Sequence, residues 1–136
     1  IGKTIVERPG KDVTIVAYGT TLAKAIEAAD FLEEEGIRVE ILNPLTLYPM
    51  DLKPIIESVI KTGCLIVAHE AAKTGGVGGE IVARVVESEA FDYLTAPIVR
   101  LGGLDVPIPF NQELESAAVP QRNDFVHSVY RLLNRE

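Results

Sequence analysis

One short segment of the sequence concentrates residue types that can carry chemistry. Residues 69–80 contain a histidine, two glutamates, a lysine, a threonine and four glycines. His69 and Glu70 are adjacent and could form an acid/base pair. Such a pair needs a third group that orients it and a pocket that holds the substrate, and no nearby residue supplies either. We therefore predict no catalytic residue in this segment.

The glycines of this segment have two explanations. A glycine-rich loop before a helix can bind a phosphate with its N–H groups. The spacing of Gly76, Gly78 and Gly79, however, matches neither the dinucleotide-binding fingerprint nor the phosphate loop of nucleotide hydrolases. Glycines also let a helix approach another backbone closely. We expect this second role, either within the chain or across a subunit interface.

A second segment, from Asp105 to Phe110, is stiffened by two prolines. Each proline fixes its own φ and drives the preceding residue into extended backbone. Such a loop loses little entropy when it docks. Two interpretations remain open: Ile108 and Phe110 contact another subunit, or the loop is an ordinary crossover packed on its own sheet.

The composition excludes several classes of protein. The chain has 136 residues, 47% hydrophobic and 24% charged, which suits one globular domain. Thirteen Lys and Arg against twenty Asp and Glu leave a net charge of -7, which repels nucleic acid. No apolar run reaches the roughly 18 residues of a membrane span. We expect neither a nucleic-acid partner nor a membrane partner.

Cysteine and histidine are sparse. The single cysteine, Cys64, and the two histidines are far apart in the sequence, so we predict no metal site. One cysteine cannot form a disulfide within the chain, and its apolar neighbours indicate a buried thiol. This favours a reducing, cytosolic setting. The chain begins with Ile1, and we expect it to be a fragment of a longer protein.

The hydrophobic pattern predicts the elements that position these segments. Short strands that are apolar on both faces alternate with amphipathic helices, which indicates a parallel sheet covered on both sides. The predicted class is α/β, a three-layer αβα sandwich with an open, mostly parallel sheet of about five strands, in one domain over residues 1–136. An antiparallel edge strand is expected at residues 3–7. The other strands are predicted at residues 13–17, 37–42, 64–68 and 98–101, with a loop at residues 71–79.

Turn and capping residues predict where two of the helices begin and end. Thr20 or Thr21 is expected to cap the first helix, and Asp51 the second, since their side-chain oxygens can accept from free N–H groups. Gly36 and Gly63 follow the last apolar residues of these helices and are expected to end them.

Several segments, taken in order, resemble a known family. Together they are similar to the C-terminal, transketolase-type domain of the beta subunit of 2-oxoacid dehydrogenase complexes. That subunit belongs to the thiamine-diphosphate-dependent decarboxylating component acting on pyruvate, branched-chain 2-oxoacids or acetoin. The resemblance covers essentially the whole chain and rests on residues 12–19, 39–49, 69–71, 74–76, 96–97 and 105–109.

The resemblance implies a division of labour. In this family thiamine diphosphate and magnesium lie between the alpha subunit and the N-terminal domain of the beta subunit, so no catalytic or cofactor residue carries over to this chain. The domain would be inactive alone and would help to build a heterotetramer with the alpha subunit and a second beta subunit. The location would be the cytoplasm, or the mitochondrial matrix in a eukaryote. The implied subunit-interface residues are His69, Glu70, Gly75, Gly76, Gly78, Gly79, Asp105, Ile108 and Phe110.

The family also offers a surface to the dihydrolipoyl acyltransferase, and here the sequence departs from the pattern. Many relatives carry an acidic residue just before the Ala-Pro pair, where this chain has Thr95. Many also end on an apolar residue, whereas this chain ends Asn-Arg-Glu. Glu89 or Asp92 could replace the missing carboxylate, so these two residues and Thr95 are the candidates for acyltransferase docking.

Two other functions compete with this one. The chain could be the equivalent domain of another transketolase-like enzyme, such as transketolase or deoxyxylulose-phosphate synthase. The His-Glu-Ala sequence at residues 69–71 and the proline loop argue against that. The third alternative is a free-standing flavodoxin-like module that binds a ligand with the loop from Gly75 to Gly79.

Overall fold

Five strands form one mixed sheet in the computed structural model, which describes residues 1–107 and 110–134. The strand order is β1-β3-β2-β4-β5; β1 is antiparallel to β3, and the remaining pairs are parallel. The predicted class and the antiparallel edge strand are both confirmed. The elements are β1 (Thr4–Arg8), β2 (Val13–Ala17), α1 (Thr20–Glu34), β3 (Val39–Pro44), α2 (Lys53–Thr62), β4 (Leu65–Ala72), α3 (Val77–Val86), a 3-10 helix (Glu89–Tyr93), β5 (Val99–Gly103), α4 (Gln112–Ala118) and α5 (Arg122–Leu132).

The central strand β2 is buried on both faces. Val13, Ile15 and Ala17 pack into a cluster with α1 and α5, whereas Val16 packs into a second cluster with α2 and α3. Side chains alternate between the faces of a strand, so one apolar run supplies two cores. This alternation produces the three layers.

One polar residue lies within this apolar run. Thr14 is fully buried and faces α2. Its hydroxyl forms hydrogen bonds with the hydroxyls of Ser58 and Thr62, both at 2.7 Å. A buried hydroxyl with partners avoids most of the cost of leaving water. The bonds therefore tie α2 to the middle of the sheet.

The predicted cap of α1 is wrong. Gly19, with φ of 63°, occupies the N-cap position, and no side chain caps the helix. Both threonines lie inside the first turn, and their hydroxyls are engaged elsewhere. Thr21 donates to the carbonyl of Tyr18 at 2.6 Å, and Thr20 donates to the carboxylate of Glu70. Because their hydroxyls form these hydrogen bonds, neither threonine caps the helix.

The cap predicted for α2 is displaced by one residue. Leu52 occupies the N-cap position, while the Asp51 carboxylate accepts from the backbone N–H of Lys53 at 3.2 Å. Both predicted helix ends are confirmed. Gly36 and Gly63 follow α1 and α2 with φ of 79° and 75°, a conformation that glycine adopts without steric cost.

Strand β4 runs four residues beyond its predicted end. Pairing with β5 extends it: Ala72 lies opposite Gly103, and the N–H of Lys73 donates to the carbonyl of Gly103 at 3.0 Å. The 3-10 helix and α4 were not predicted. The helix α4 lacks a broad apolar stripe, and its start is marked by Asn111, whose side chain accepts from two backbone N–H groups.

Glu40 is a charged residue buried in the sheet, only 4% exposed. Its carboxylate accepts from Lys61 Nζ at 2.5 Å and from the backbone N–H of Gly10 at 3.2 Å. Burial by itself raises the pKa of the Glu40 carboxyl. Hydrogen bonds from Lys61, Ser58 and Gly10 lower this pKa by more than burial raises it, so the net pKa lies below its ordinary value. The ionised carboxylate therefore fastens α2 and the β1–β2 turn to β3.

We predict that Glu40→Gln lowers the free energy of unfolding at pH 7 by roughly 1–3 kcal/mol, because a charge-assisted hydrogen bond is lost. A carboxyl with a lowered folded pKa stabilises the fold above its unfolded pKa, ordinarily 4.5, and this contribution disappears as the pH falls through the folded pKa. The unaltered chain should therefore lose more stability between pH 7 and pH 3 than Glu40→Gln. Urea unfolding followed by circular dichroism measures both quantities.

The exposed Glu27 provides a matched control. Glu27→Gln should leave both the stability at pH 7 and its acid dependence close to those of the unaltered chain. Equal behaviour of Glu40→Gln and Glu27→Gln would contradict the structural role of the buried carboxylate.

Candidate functional site

His69 is enclosed by the glycines of the segment that follows β4. It is 3% exposed, and its Nδ1 lies 2.9 Å from the carbonyl oxygen of Ala71. A Cβ on Gly76 would lie 2.6 Å from His69 Cε1, and one on Gly78 would lie 2.8 Å from Nε2. Real Cβ atoms do not approach this closely, so only glycine fits at either position. The start of α3 therefore packs directly on the imidazole.

The ring of Tyr18 covers another side of this histidine. The two ring centroids are 6.3 Å apart and the rings are tilted by 38°. Burial raises the pKa of the Tyr18 hydroxyl. Tyr18 follows β2 and His69 belongs to β4, so the contact joins the carboxyl ends of two neighbouring parallel strands.

Glu70 follows His69 in β4 but has a different environment. It is exposed, and its carboxylate accepts from the hydroxyl of Thr20 at the start of α1. Successive residues of a strand point to opposite faces. The buried imidazole and the exposed carboxylate are therefore separated by the strand and do not form an acid/base pair.

The four glycines of the segment divide into two pairs. Gly76 and Gly78 pack on His69, as described above. Gly75, with φ of 74°, has open space where a Cβ would lie, and a Cβ on Gly79 would have an ordinary contact at 3.6 Å with Arg100 Nη1. Packing within the chain therefore explains why Gly76 and Gly78 are glycines. Gly75 is explained only by its left-handed backbone, and no contact within the chain requires glycine at position 79.

The proline loop presents an aromatic side chain to solvent. Phe110 is fully exposed, which argues against its packing on the chain's own sheet. At the start of the loop the Asp105 carboxylate accepts from the hydroxyl of Thr74 at 2.6 Å, which ties the loop to the glycine segment. Ile108, the other predicted contact residue, lies outside the described residues.

The three docking candidates lie along one stretch of chain. Glu89 and Asp92 are exposed on the 3-10 helix, and the exposed Thr95 follows it by two residues. The Thr95 hydroxyl donates to the carbonyl of Gly63 at 3.2 Å. The stretch also exposes the aromatic ring of Phe91, a residue that the sequence analysis did not single out.

A groove of about 690 Å³ continues from Thr95 along the edge of the sheet. It runs between β5 and the end of α5, and is lined in part by Pro97, Val99 and Arg131. Asn134 also lines it, whereas the last two residues of the chain lie outside the described part. The groove thus adjoins the docking candidates.

The described residues contain neither a cluster of potential metal ligands nor a helix suited to span a bilayer. Residues 1–107 and 110–134 contain no group of three or more His, Cys, Asp or Glu side chains arranged to hold a metal ion. In the same part of the chain, no helix has the length and apolarity needed to cross a bilayer.

Comparison with known proteins gives one family match. Residues 2–124 match the family described as "Transketolase, C-terminal domain". The chain is 44% identical over 133 residues to the mitochondrial pyruvate dehydrogenase E1 component subunit beta of Ascaris suum, covering 98% of this chain and 37% of that protein. It is 46% identical over 129 residues to the corresponding subunit of Rhizobium meliloti, covering 95% of this chain and 28% of that protein.

A solved structure is also similar to this chain. A protein described as a split-gene transketolase in an inactive beta4 tetramer superposes with a TM-score of 0.80 at 38% sequence identity. The match covers 98% of this chain and 42% of that one. The chain thus spans less than half the length of each of these relatives.

We predict that Gly78→Ala lowers the melting temperature of the chain, because the new Cβ would lie 2.8 Å from His69 Nε2. Overpacking of this kind costs roughly 1–3 kcal/mol. Gly79→Ala serves as the matched control in the same helix. It meets no close atom, and we expect unchanged or higher stability, since alanine favours a helix by about 0.5–1 kcal/mol over glycine. Thermal unfolding by circular dichroism compares the two.

A larger side chain tests the interface hypothesis for Gly79. We expect Gly79→Val to leave the melting temperature of this chain nearly unchanged and to disrupt assembly of the longer subunit, measured by sedimentation. An unchanged sedimentation profile would remove Gly79 from the interface.

Proposed function

Because the chain belongs to the family of transketolase C-terminal domains, we propose that it is the assembly and partner-binding domain of the beta subunit of a 2-oxoacid dehydrogenase. This membership confirms the transketolase-type domain predicted from the sequence. The proposal rests chiefly on the 44% identity with a pyruvate dehydrogenase beta subunit across 98% of the chain. The complete enzyme would oxidatively decarboxylate its 2-oxoacid and transfer the acyl group to lipoyl carriers.

The substrate proposed for the complete enzyme is pyruvate. The relatives from Ascaris suum and Rhizobium meliloti are both pyruvate dehydrogenase subunits. The reaction would use thiamine diphosphate and magnesium, bound outside this chain between the alpha subunit and the N-terminal domain of the beta subunit. The start of α3 is not suited to hold the diphosphate, since Gly76 and Gly78 pack closely against His69.

This domain would serve the enzyme through its surfaces. The exposed Phe110 and the uncrowded Gly79 are suited to contacts with the alpha subunit and a second beta subunit in a heterotetramer. Aromatic side chains contribute strongly to such contacts, and glycine permits close approach of helices. The assembly would be located in the bacterial cytoplasm or, in a eukaryote, in the mitochondrial matrix.

The dihydrolipoyl acyltransferase would dock near the 3-10 helix. There the side chains of Glu89, Asp92 and Phe91 are all exposed. An apolar centre with charged neighbours is typical of a protein interface. Thr95 would lie at the edge of this surface.

A second candidate is the C-terminal domain of a transketolase. It is favoured by the 38% identity with the split-gene transketolase over 98% of the chain. The higher identity with the pyruvate dehydrogenase subunits favours the first candidate. A free-standing ligand-binding module has less support, since the His69 ring occupies the space beside Gly76 and Gly78, two of the glycines in its proposed binding loop.

We predict that the 136-residue chain alone catalyses no decarboxylation, because the thiamine site is proposed to lie outside it and, among the described residues, His69 and Glu70 do not form an acid/base pair. The longer beta subunit combined with its alpha subunit should decarboxylate pyruvate when thiamine diphosphate and magnesium are added. Release of carbon dioxide, measured against a sample without protein, tests both statements. Turnover by the chain alone would contradict the first, and transfer of two-carbon units between sugar phosphates in place of decarboxylation would favour a transketolase.

We predict that Thr95→Asp strengthens binding to the subunit-binding domain of an acyltransferase whose contacting residue is basic. A charge-assisted hydrogen bond contributes roughly 1.5–3 kcal/mol, so the dissociation constant should fall about ten- to a hundredfold. The new carboxylate must turn into solvent, away from the carbonyl of Gly63 that the threonine now contacts. Calorimetric titration of the assembled enzyme measures the change.

Thr95→Asn is the matched control, because asparagine has nearly the same shape without the charge. The gain from Thr95→Asp should shrink at high salt, and Thr95→Asn should show no gain. Equal binding of both variants at low salt would place the acyltransferase on another surface.

A further inference from the structure

The strand β1 is one edge of the sheet and directs backbone hydrogen-bonding groups outward. It is the last strand in the order β1-β3-β2-β4-β5. On its inner side it pairs antiparallel with β3, and the carbonyl of Lys3 accepts from the N–H of Leu45 at 2.9 Å. Along such a pair, successive residues direct their backbone groups alternately toward the partner strand and away from it. The N–H and C=O groups of Thr4 and Val6 therefore face the outer edge.

The side chains along this edge include two opposite charges. Lys3 and Glu7 are both exposed, and Lys3 shares a face with Ile5, two residues further along. Glu7 lies on that face too, since its carboxylate accepts from the side chain of Asn43 at 3.0 Å, and Asn43 is the residue opposite Ile5. Within residues 1–107 and 110–134, neither Lys3 nor Glu7 forms an ion pair. Both charges are therefore available to a partner.

The sequence of this edge is complementary to itself. If two copies of β1 pair antiparallel, the outward groups of one must meet the outward groups of the other. The possible registers then place Thr4 opposite Thr4, Thr4 opposite Val6, or Val6 opposite Val6. The second register places Lys3 opposite Glu7, whereas the first places Lys3 opposite Ile5 and the third places Glu7 opposite Ile5. Opposite charges on facing residues stabilise an antiparallel pair, so the charges select the second register.

We propose that β1 of one chain pairs with β1 of a second copy of the chain, which joins two sheets into one. Thr4 lies opposite Val6 and Lys3 opposite Glu7, at two places related by a two-fold axis. The edge of a sheet is a template for such pairing. A strand of a different protein would have to supply both charges at this spacing, whereas a second copy supplies them by symmetry.

The contact is small and lies away from the surfaces proposed above. β1 and β5 are opposite edges of the sheet, and the glycine segment adjoins β5, where the N–H of Lys73 donates to the carbonyl of Gly103. The register of β1 with β3 shifts after Val6, so each copy contributes only a short regular segment. Interfaces of this size are weak and reversible. We expect a dissociation constant of about 10–300 µM.

Disulfide trapping tests the register in the longer beta subunit and in the 136-residue chain. Ile5 lies opposite Ile5 in this register, in a pair without mutual hydrogen bonds whose Cα atoms are about 4.5 Å apart, a distance that a disulfide can span. We expect Ile5→Cys to form a covalent dimer when oxidised glutathione is added. The matched control is Val6→Cys, which is more exposed but lies opposite Thr4 and should form about tenfold less dimer. Cys64 is buried and is common to both variants.

Two results of this experiment would overturn the proposal: no covalent dimer from Ile5→Cys, or equal yields of dimer from the two variants. If a cysteine variant fails to fold, the charge variants described next decide, because they alter only exposed side chains.

Exchange of the two charges tests the identity of the partner. Lys3→Glu places carboxylates opposite each other and should raise the dissociation constant, measured by sedimentation equilibrium, by about tenfold. The double variant Lys3→Glu with Glu7→Lys restores opposite charges, and its constant should lie within about threefold of that of the unaltered chain. Lys73→Glu is the matched control, since it changes an exposed lysine outside β1 and should leave the constant unchanged. A double variant as weak as Lys3→Glu, or an equal loss in the control, would overturn the proposal.

Discussion

Burial of the central strands on both faces is the constraint on which the rest of the molecule depends. Because β2 is buried throughout and β4 is buried over its first half, helices must cover the sheet on both sides. Polar groups inside the sheet are then tolerated only with partners, as for Thr14 and Glu40. Side chains free to contact other molecules are left at the strand ends, on the edge strands and on the connecting segments.

The exposed residues of this fold lie on separate surfaces. The glycine segment and the proline loop are joined by the bond between Thr74 and Asp105, and the 3-10 helix leads to the groove beside β5. Each surface combines a connecting segment with exposed apolar or uncrowded residues. For the function proposed above, such separation would let several partners bind without competing.

The glycine segment at residues 69–80 shows how far residue types alone can be interpreted. The composition of residues 69–80 indicated either close packing or a ligand loop. It could not show which of the glycines pack against another residue and which do not. The division follows from distances: Gly76 and Gly78 touch His69, and Gly79 does not. Which Cβ positions are blocked depends on how α3 lies against β4. A sequence of glycines carries no information about that angle, since glycine has no side chain to show a buried face.

The sequence by itself determined the class of fold, the antiparallel edge strand and the ends of α1 and α2. These depend on side-chain periodicity and on the left-handed backbone of Gly36 and Gly63, which are local properties. Only the tertiary structure decided the caps, the length of β4 and the burial of Glu40. Thr20 and Thr21 can cap a helix, but Glu70 and the Tyr18 carbonyl take their hydroxyls. Pairing with β5 extends β4, and Lys61 together with Gly10 holds the carboxylate inside. Most of these partners are distant in sequence, so local pattern could not select them.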